Sequence, residues 1–136
     1  MPKSAFREDV RVVIDVDGED VVFICRKPTG QEVSKFLSAR FEQGRRGKVE
    51  SHLYEARERF MRSIVVDIEN ATYQNADRQI LPLTAVAVLS DADKQFASGV
   101  LKTDVRDWRD LIPANWYSSA AMHFEDAANN GADEGN

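Results

Sequence analysis

Apolar and polar residues alternate through the first part of the chain, and this pattern predicts a β-hairpin. Two alternating runs flank Asp17-Gly18, a pair that favours a tight turn because glycine adopts positive φ without steric cost. A two-residue loop would pair Ile14 with Val21, whereas a four-residue loop would pair Ile14 with Phe23. Because the opposite face is also partly apolar, we expect cover on both sides or an additional strand. Both registers place the same seven side chains on one face, namely Val10, Val12, Ile14, Val16, Val21, Phe23 and Cys25.

Helical spacing replaces the alternation after Pro28, which ends the second strand. Thr29 and Glu32 predict a capping box at the start of a first helix. A second helix is predicted over residues 49–68, although its β-branched end at 64–68 could instead form a short strand. The apolar stripes are Val33, Phe36, Leu37 and Phe41 in the first helix, and Leu53, Ala56, Phe60, Met61, Ile64, Val65 and Ile68 in the second.

The second half of the chain predicts a loop and then three more helices. Turn-forming residues dominate positions 70–82, and periodicity does not assign the apolar run over 83–89. Ser90 is expected to cap a third helix, Thr103 to open a short fourth one, and Asn115 to cap the last. The stripes of these helices are Phe96, Ala97, Val100 and Leu101, then Val105, Trp108, Leu111 and Ile112, then Trp116, Ala120 and Phe124.

The order of these elements predicts an α+β fold in which an N-terminal β-hairpin packs on a bundle of four to five helices. A chain of 136 residues has the size of one domain and buries enough surface for a real core. We expect this single domain to cover residues 1–126. Residues 127–136 contain no large apolar side chain, so we expect them to form a disordered acidic tail.

The charge of the chain is unevenly distributed, although the net charge is only −5. From Arg26 to Arg62 there are ten bases and five acids, a local charge of +5, whereas the end of the chain is acidic. No apolar run is long enough to span a bilayer, and the N-terminus lacks the apolar core of a signal peptide. Because Cys25 is the single cysteine, we expect no disulfide framework, and we expect a cytoplasmic protein without a membrane partner.

No group of residues in the sequence has the spacing of a catalytic or metal site. His52, His123 and Cys25 are the only soft metal ligands, and they are too dispersed for zinc. The acidic turn at 15–20 lacks the glycine position and the final glutamate of a calcium loop. Ser118, although close to His123, has no glycine elbow around it. We therefore expect a protein that is not an enzyme and that needs no metal or cofactor.

Two sets of residues are candidates for binding a partner. A glycine-flanked basic loop could hold phosphates or an acidic protein surface, and two tryptophans with an isoleucine could act as apolar anchors. At helical spacing, however, such aromatic residues belong to the core more often than to an interface. The candidates are Arg45, Arg46 and Lys48 in the loop, and Trp108, Ile112 and Trp116 as anchors. The charges beside the tryptophans predict a solvated, salt-bridged helix face, formed by Asp104, Arg106, Asp107, Arg109 and Asp110.

Two short segments, one near each end of the chain, carry a family resemblance. The first is Phe23-Ile-Cys-Arg-Lys-Pro-Thr29, which follows a short hairpin and leads into a helix. The second is Asp107-Trp-Arg-Asp-Leu-Ile-Pro-Ala-Asn-Trp116, which leads into a short final helix and an acidic tail. Both are similar to segments at the corresponding ends of the tail assembly chaperones of long-tailed bacteriophages.

The resemblance implies a non-catalytic protein that coats the tape measure protein and keeps it soluble while tail tube subunits polymerise around it. It also implies a homo-oligomer in the host cytoplasm, and a longer frameshifted form that continues from the tail. A chaperone for an amphipathic helix needs an exposed apolar groove, which we expect at the hairpin face or at the corner between Trp108 and Trp116.

Two other functions fit the sequence. One is a structural virion component, such as a connector or tube accessory protein. The other is a small nucleic-acid-binding regulator that uses Arg45, Arg46 and Lys48 to contact phosphates. A pI near 5.0 argues against a dedicated nucleic-acid binder, so we expect a protein partner.

Overall fold

Four α-helices, a three-stranded antiparallel sheet and a two-stranded ribbon make up the described part of the chain, residues 9–42 and 49–133 of a computed structural model. The predicted α+β class is therefore confirmed. The elements in chain order are β1 (Asp9–Val16), β2 (Glu19–Arg26), α1 (Gly30–Glu42), α2 (Val49–Ile64), β3 (Val65–Glu69), β4 (Thr72–Gln74), β5 (Ile80–Pro82), α3 (Asp91–Leu101), a 3₁₀ helix (Trp108–Leu111) and α4 (Ala114–Asp133).

The N-terminal hairpin forms as the alternating pattern predicts. Strands β1 and β2 pair antiparallel with Ile14 opposite Val21, so the two-residue loop is the correct register. Asp17 and Gly18 both have positive φ, which is the backbone of a type I′ turn and explains the need for glycine. The seven side chains of the predicted apolar face are all buried or half-buried.

The hairpin gains a third strand from the end of the predicted second helix. Helix α2 stops at Ile64, and β3 pairs antiparallel with β2, with Ile68 opposite Phe23. The prediction of a helix to residue 68 is therefore wrong, and the β-branched alternative is correct. The unpaired edge of β2 offers this segment a ladder of hydrogen bonds, and that tertiary partner outweighs its weak helical preference.

The segment over 70–82 is a β-ribbon rather than the predicted loop. Tyr73 of β4 lies opposite Leu81 of β5. The turn between the strands is held by the Asn75 side chain, whose Oδ1 accepts a 2.8 Å hydrogen bond from the Gln79 amide. Strands of three residues are too short to show alternation, which is why the sequence pattern does not predict this ribbon. Hydrogen bonds from side chains in the turn stabilise it.

The helix caps are partly as predicted. Thr29 and Glu32 form the capping box of α1, with bonds of 2.9 and 3.1 Å, and Ser90 caps α3 through a second box. The prediction for the fourth helix is wrong, because this helix begins at Trp108 rather than at Thr103 and is a 3₁₀ helix capped by Asp107.

The start of α4 also differs from the prediction. This helix starts at Ala114, one residue before the predicted cap Asn115. The carbonyl of Pro113 accepts the amides of Trp116 and Tyr117 and so opens the helix. Helix α4 continues to Asp133 and includes part of the segment 127–136, and the domain boundary at 126 stays a prediction.

Aromatic rings connect the helices and the sheet. Phe60 of α2 stacks on Phe36 of α1 at 4.4 Å between ring centroids and meets Phe124 of α4 edge-on at 5.3 Å. Tyr117 of α4 lies edge-on to Phe23 of β2 at 5.8 Å. The predicted apolar face of the hairpin is therefore part of the central core. None of the described helices has the length and apolar character needed to cross a bilayer.

Candidate functional site

The predicted apolar anchors differ in their exposure to solvent. Arg45, Arg46 and Lys48 lie outside the described residues. The side chains of Trp108 and Ile112 belong to the core, with exposures of only 7% and 3%. The alternative interpretation, in which aromatic residues at helical spacing are core residues, therefore describes Trp108. Trp116 is half-buried and is the member of the anchor set that reaches the surface, where it forms one wall of a cleft.

An apolar cleft of about 200 Å³ lies beside Trp116, between β4, α3 and the start of α4; we name it the α3–α4 cleft. Leu83 and Leu111 are buried side chains that contribute to its lining. The polar residues of its lining come mainly from the ribbon strand β4. The full lining is Thr72, Tyr73, Gln74, Leu83, Phe96, Ala97, Val100, Leu101, Leu111, Pro113 and Trp116.

Helix α3 leaves half of its apolar stripe uncovered on this cleft. Ala97 is buried, but Val100 is 63% exposed and Leu101 is 39% exposed. The sequence predicts one continuous stripe from Phe96 to Leu101, which an amphipathic helix normally buries against its own domain. The helix ends directly after this pair, at Lys102 in the left-handed conformation, so the exposed side chains stand at the rim of the cleft.

Helix α3 is anchored at both of its ends. Asp93 of its capping box also accepts a 2.9 Å hydrogen bond from the Ala76 amide in the ribbon turn. This bond and the Ser90 amide lower the pKa of Asp93, since they favour the carboxylate. At the other end, Ser98 Oγ accepts the Val105 amide at 3.0 Å. The wall that carries Val100 is thus tied to the ribbon and to the following loop.

The opposite wall is fixed by Asp110, which the sequence assigns to a solvated face. Arg62 of α2 donates to its carboxylate at 2.5 Å, and the Arg106 amide donates at 2.8 Å. Burial acts to raise the pKa of Asp110, but these donors outweigh it and the pKa is lowered. Tyr117 donates its hydroxyl to the Arg109 carbonyl at 2.6 Å. Of the predicted salt-bridged face, Asp104 and Arg106 form the exposed pair.

Cys25 and the pair of Arg57 and Glu125 have structural roles. Over residues 9–42 and 49–133, no three His, Cys, Asp or Glu side chains converge in a way that could hold a metal ion. Cys25 is fully buried, and burial raises the pKa of its thiol to about 12. Arg57 of α2 holds the buried Glu125 of α4 at 2.9 Å, which ties two core helices together. What the α3–α4 cleft offers is apolar contact with a polar strand edge beside it.

Two other depressions are weaker candidates. One is an open surface on α1 beside Val33 and Leu37, and another lies between α1 and α2 beside Phe36 and Phe60. Both are walled by one or two helices, whereas the α3–α4 cleft has walls from a strand, two helices and the 3₁₀ segment. The hairpin face does not supply the expected groove, because its central side chains Phe23 and Cys25 are buried.

Sequence reasoning missed the part of the cleft that β4 and Leu83 contribute. The only available signal was the unassigned apolar run at 83–89, next to the unpaired stripe of α3. No protein-family model, no curated protein and no solved structure matches this chain. The resemblance to tail assembly chaperones therefore stays a prediction.

Proposed function

We propose that this chain is a non-catalytic binding protein whose α3–α4 cleft receives apolar side chains from an amphipathic helix. In the most specific form of this proposal, the helix belongs to the tape measure protein of a long-tailed phage and the chain is its tail assembly chaperone. The N-terminal hairpin, packed on a bundle of helices, is then the scaffold that holds the cleft. The chaperone acts in the host cytoplasm, as a homo-oligomer.

The observation that carries the proposal is the uncovered pair Val100 and Leu101 at the rim of the cleft beside Trp116. Exposed apolar side chains that cluster around a concave surface are typical of interaction sites. A helical partner that places one apolar side chain against this pair would shield both residues from water. Full burial of one such side chain is worth about 1.5–3 kcal/mol, so a single cleft supports a weak, reversible contact.

The size of the cleft favours a protein partner over a small molecule. A volume of about 200 Å³ is below the ~300–1,000 Å³ of typical small-molecule sites. Side chains from a helix, by contrast, enter a groove one at a time at positions i, i+3, i+4 and i+7. A chaperone that coats a long helix needs many weak contacts of this kind, repeated along the partner.

A solubility assay tests the proposal. The chain is co-expressed with the tape measure protein of the same genome, and the soluble fraction of the tape measure protein is measured. The test variant is V100K/L101K, because lysine is compatible with the C-terminal turn of a helix while it places charge at the cleft. The matched control is V86K/V88K, which adds the same charge at two exposed valines that do not line the cleft.

We expect the wild-type chain and V86K/V88K to keep the tape measure protein soluble, and V100K/L101K to fail. Rescue by V100K/L101K as strong as by the wild type would contradict the role of the cleft. No rescue by the wild type would contradict the chaperone function. A structural virion component would instead be found in purified particles at fixed stoichiometry, whereas a chaperone would be absent from them.

A further inference from the structure

Strand β1 forms one edge of the three-stranded sheet. In a hairpin with a two-residue loop, the pair that flanks the turn exchanges hydrogen bonds, and every second pair after it does the same. Val12 and Ile14 therefore bond to β2, while Arg11, Val13 and Asp15 direct their amides and carbonyls away from it. Among the described residues, no hydrogen bond reaches these outward backbone groups.

The other edge of the sheet, at β3, is occupied by side chains. Arg109 donates to the Val65 carbonyl at 3.1 Å. The carboxylate of Asp67 accepts the amides of Ile68 at 2.8 Å and Ala85 at 2.9 Å. Natural sheets protect their edges in this manner, so the two edges of this sheet differ in kind.

The side chains on the exposed face of β1 form a self-complementary pattern. If two β1 strands pair antiparallel about an axis through Val13, that valine meets its own copy, and Arg11 of each strand lies opposite Asp15 of the other. Opposite charges at directly paired positions stabilise a sheet, and like charges destabilise it. An axis through Val12 would instead place Asp9 opposite Asp15 within the paired strands and leave Arg11 opposite Val13. In the Val13 register Asp9 faces only Asp17, which lies in the turn beyond the end of β1, so this register is the favoured one.

The exposure of these residues agrees with such a contact. Val13 is 56% exposed at the centre of the edge strand. Arg11 contacts Glu69 through Nη2 at 2.6 Å, in a pair whose side chains are both exposed. Because Glu69 lies on β3, across β2 from the free edge, pairing with Asp15 of the partner copy exchanges one exposed ion pair of Arg11 for another.

We infer that two copies of this chain join β1 to β1, antiparallel about a two-fold axis through Val13, into one continuous six-stranded sheet. The role of this dimer rests on the proposed function, because the dimer would present two α3–α4 clefts to one long helix. The strand pairing itself depends only on the sheet.

Charge reversal tests the contact through the molar mass of the purified chain, measured by sedimentation equilibrium. R11D places Asp opposite Asp15 in both pairs, and D15R places Arg opposite Arg11. Each variant alone should lose roughly tenfold or more in dimer affinity. An equimolar mixture of R11D and D15R restores opposite charges in both pairs and should dimerise, as should the double variant R11D/D15R. Circular dichroism of each variant checks that the fold is unchanged.

A disulfide variant gives an independent measurement. Residues that exchange both hydrogen bonds across an antiparallel pair have Cα atoms ~5.5 Å apart, within the 4.4–6.8 Å range of disulfides. V13C should therefore form a covalent dimer on mild oxidation. V66C, on the exposed part of the β3 edge, is the control and should form no covalent dimer.

A wild-type chain that sediments as a monomer, or a mixture of R11D and D15R that stays monomeric, would overturn the inference. So would equal cross-linking of V13C and V66C. Because V100K/L101K leaves β1 unchanged, it should still dimerise. Failed rescue by V100K/L101K can then be assigned to the cleft and not to lost dimerisation. Failed rescue of the tape measure protein by a wild-type chain that sediments as a dimer would count against the proposed function alone.

Discussion

The stacked rings of Phe36 and Phe60 should couple α1 to α2, and the coupling should be measurable. Phe60 is a buried residue of α2 with two aromatic partners, one stacked at 4.4 Å and the other, Phe124, edge-on at 5.3 Å. Each such pair contributes ~0.5–1.5 kcal/mol beyond the area that it buries. Replacement by leucine keeps most of the apolar volume and removes the ring contacts.

F60L should therefore lower the free energy of unfolding by about 1–3 kcal/mol, because two ring pairs are lost. F36L should lower it by less, because one of those pairs is lost. The loss predicted for F60L is a substantial part of the ~5–15 kcal/mol by which domains of this kind are stable. The double variant F36L/F60L closes a mutant cycle, from which we expect a coupling energy of ~0.5–1.5 kcal/mol.

Urea unfolding followed by circular dichroism supplies the four free energies. F96L is the matched control, because Phe96 lies half-buried at the α3–α4 cleft rather than between α1 and α2. A coupling energy within ~0.3 kcal/mol of zero would refute the ring packing, as would an F60L variant that is more stable than F36L.

Three further predictions concern a helix cap, the core thiol and the interior of α3. The Arg26 guanidinium and the Thr29 amide hold the pKa of Glu32 at about 2, below its ordinary 4.5; its contribution to stability is therefore present above pH 4.5 and is lost as the pH falls towards 2. Acid unfolding curves should show E32Q to be flatter than the wild type over that range, and curves of identical shape would contradict the pairing. The buried thiol of Cys25, whose pKa is raised to about 12, should not react with a thiol reagent at pH 8 until the chain is unfolded in urea, and rapid labelling of the folded chain would disprove its place in the core. Gly99 lies inside α3 with open space where the methyl group of an alanine would stand. G99A should therefore raise the free energy of unfolding by ~0.5–1 kcal/mol in the same denaturant assay, and a destabilised variant would contradict a helical, open environment at this position.

The parts of the fold that sequence could predict are those fixed by neighbours along the chain. The β1–β2 hairpin follows from alternation and a two-residue turn at Asp17, and the box of Thr29 and Glu32 follows from a three-residue spacing. The end of α2 is ambiguous in sequence, because the segment over 64–68 suits a helix or a strand and only the free edge of β2 decides between them.

Contacts between distant residues were beyond the reach of the sequence. Arg57 and Glu125 form a buried ion pair although they are 68 positions apart, and no local pattern indicates it. The candidate cleft shows the same limit. The apolar stripe of α3 is predictable, but its uncovered half at Val100 and Leu101 depends on where the ribbon and Trp116 come to lie.

Site-specific photo-cross-linking tests the central claim most directly, since it shows whether a helical partner sits in the α3–α4 cleft. A photoreactive phenylalanine derivative replaces Val100 at the rim of the cleft, or Val86 as an exposed position outside it. Each protein is irradiated with the tape measure protein. We predict a covalent adduct from position 100 and none from position 86. Equal adducts from both positions, or an adduct from position 86 alone, would contradict the claim that this cleft binds the partner.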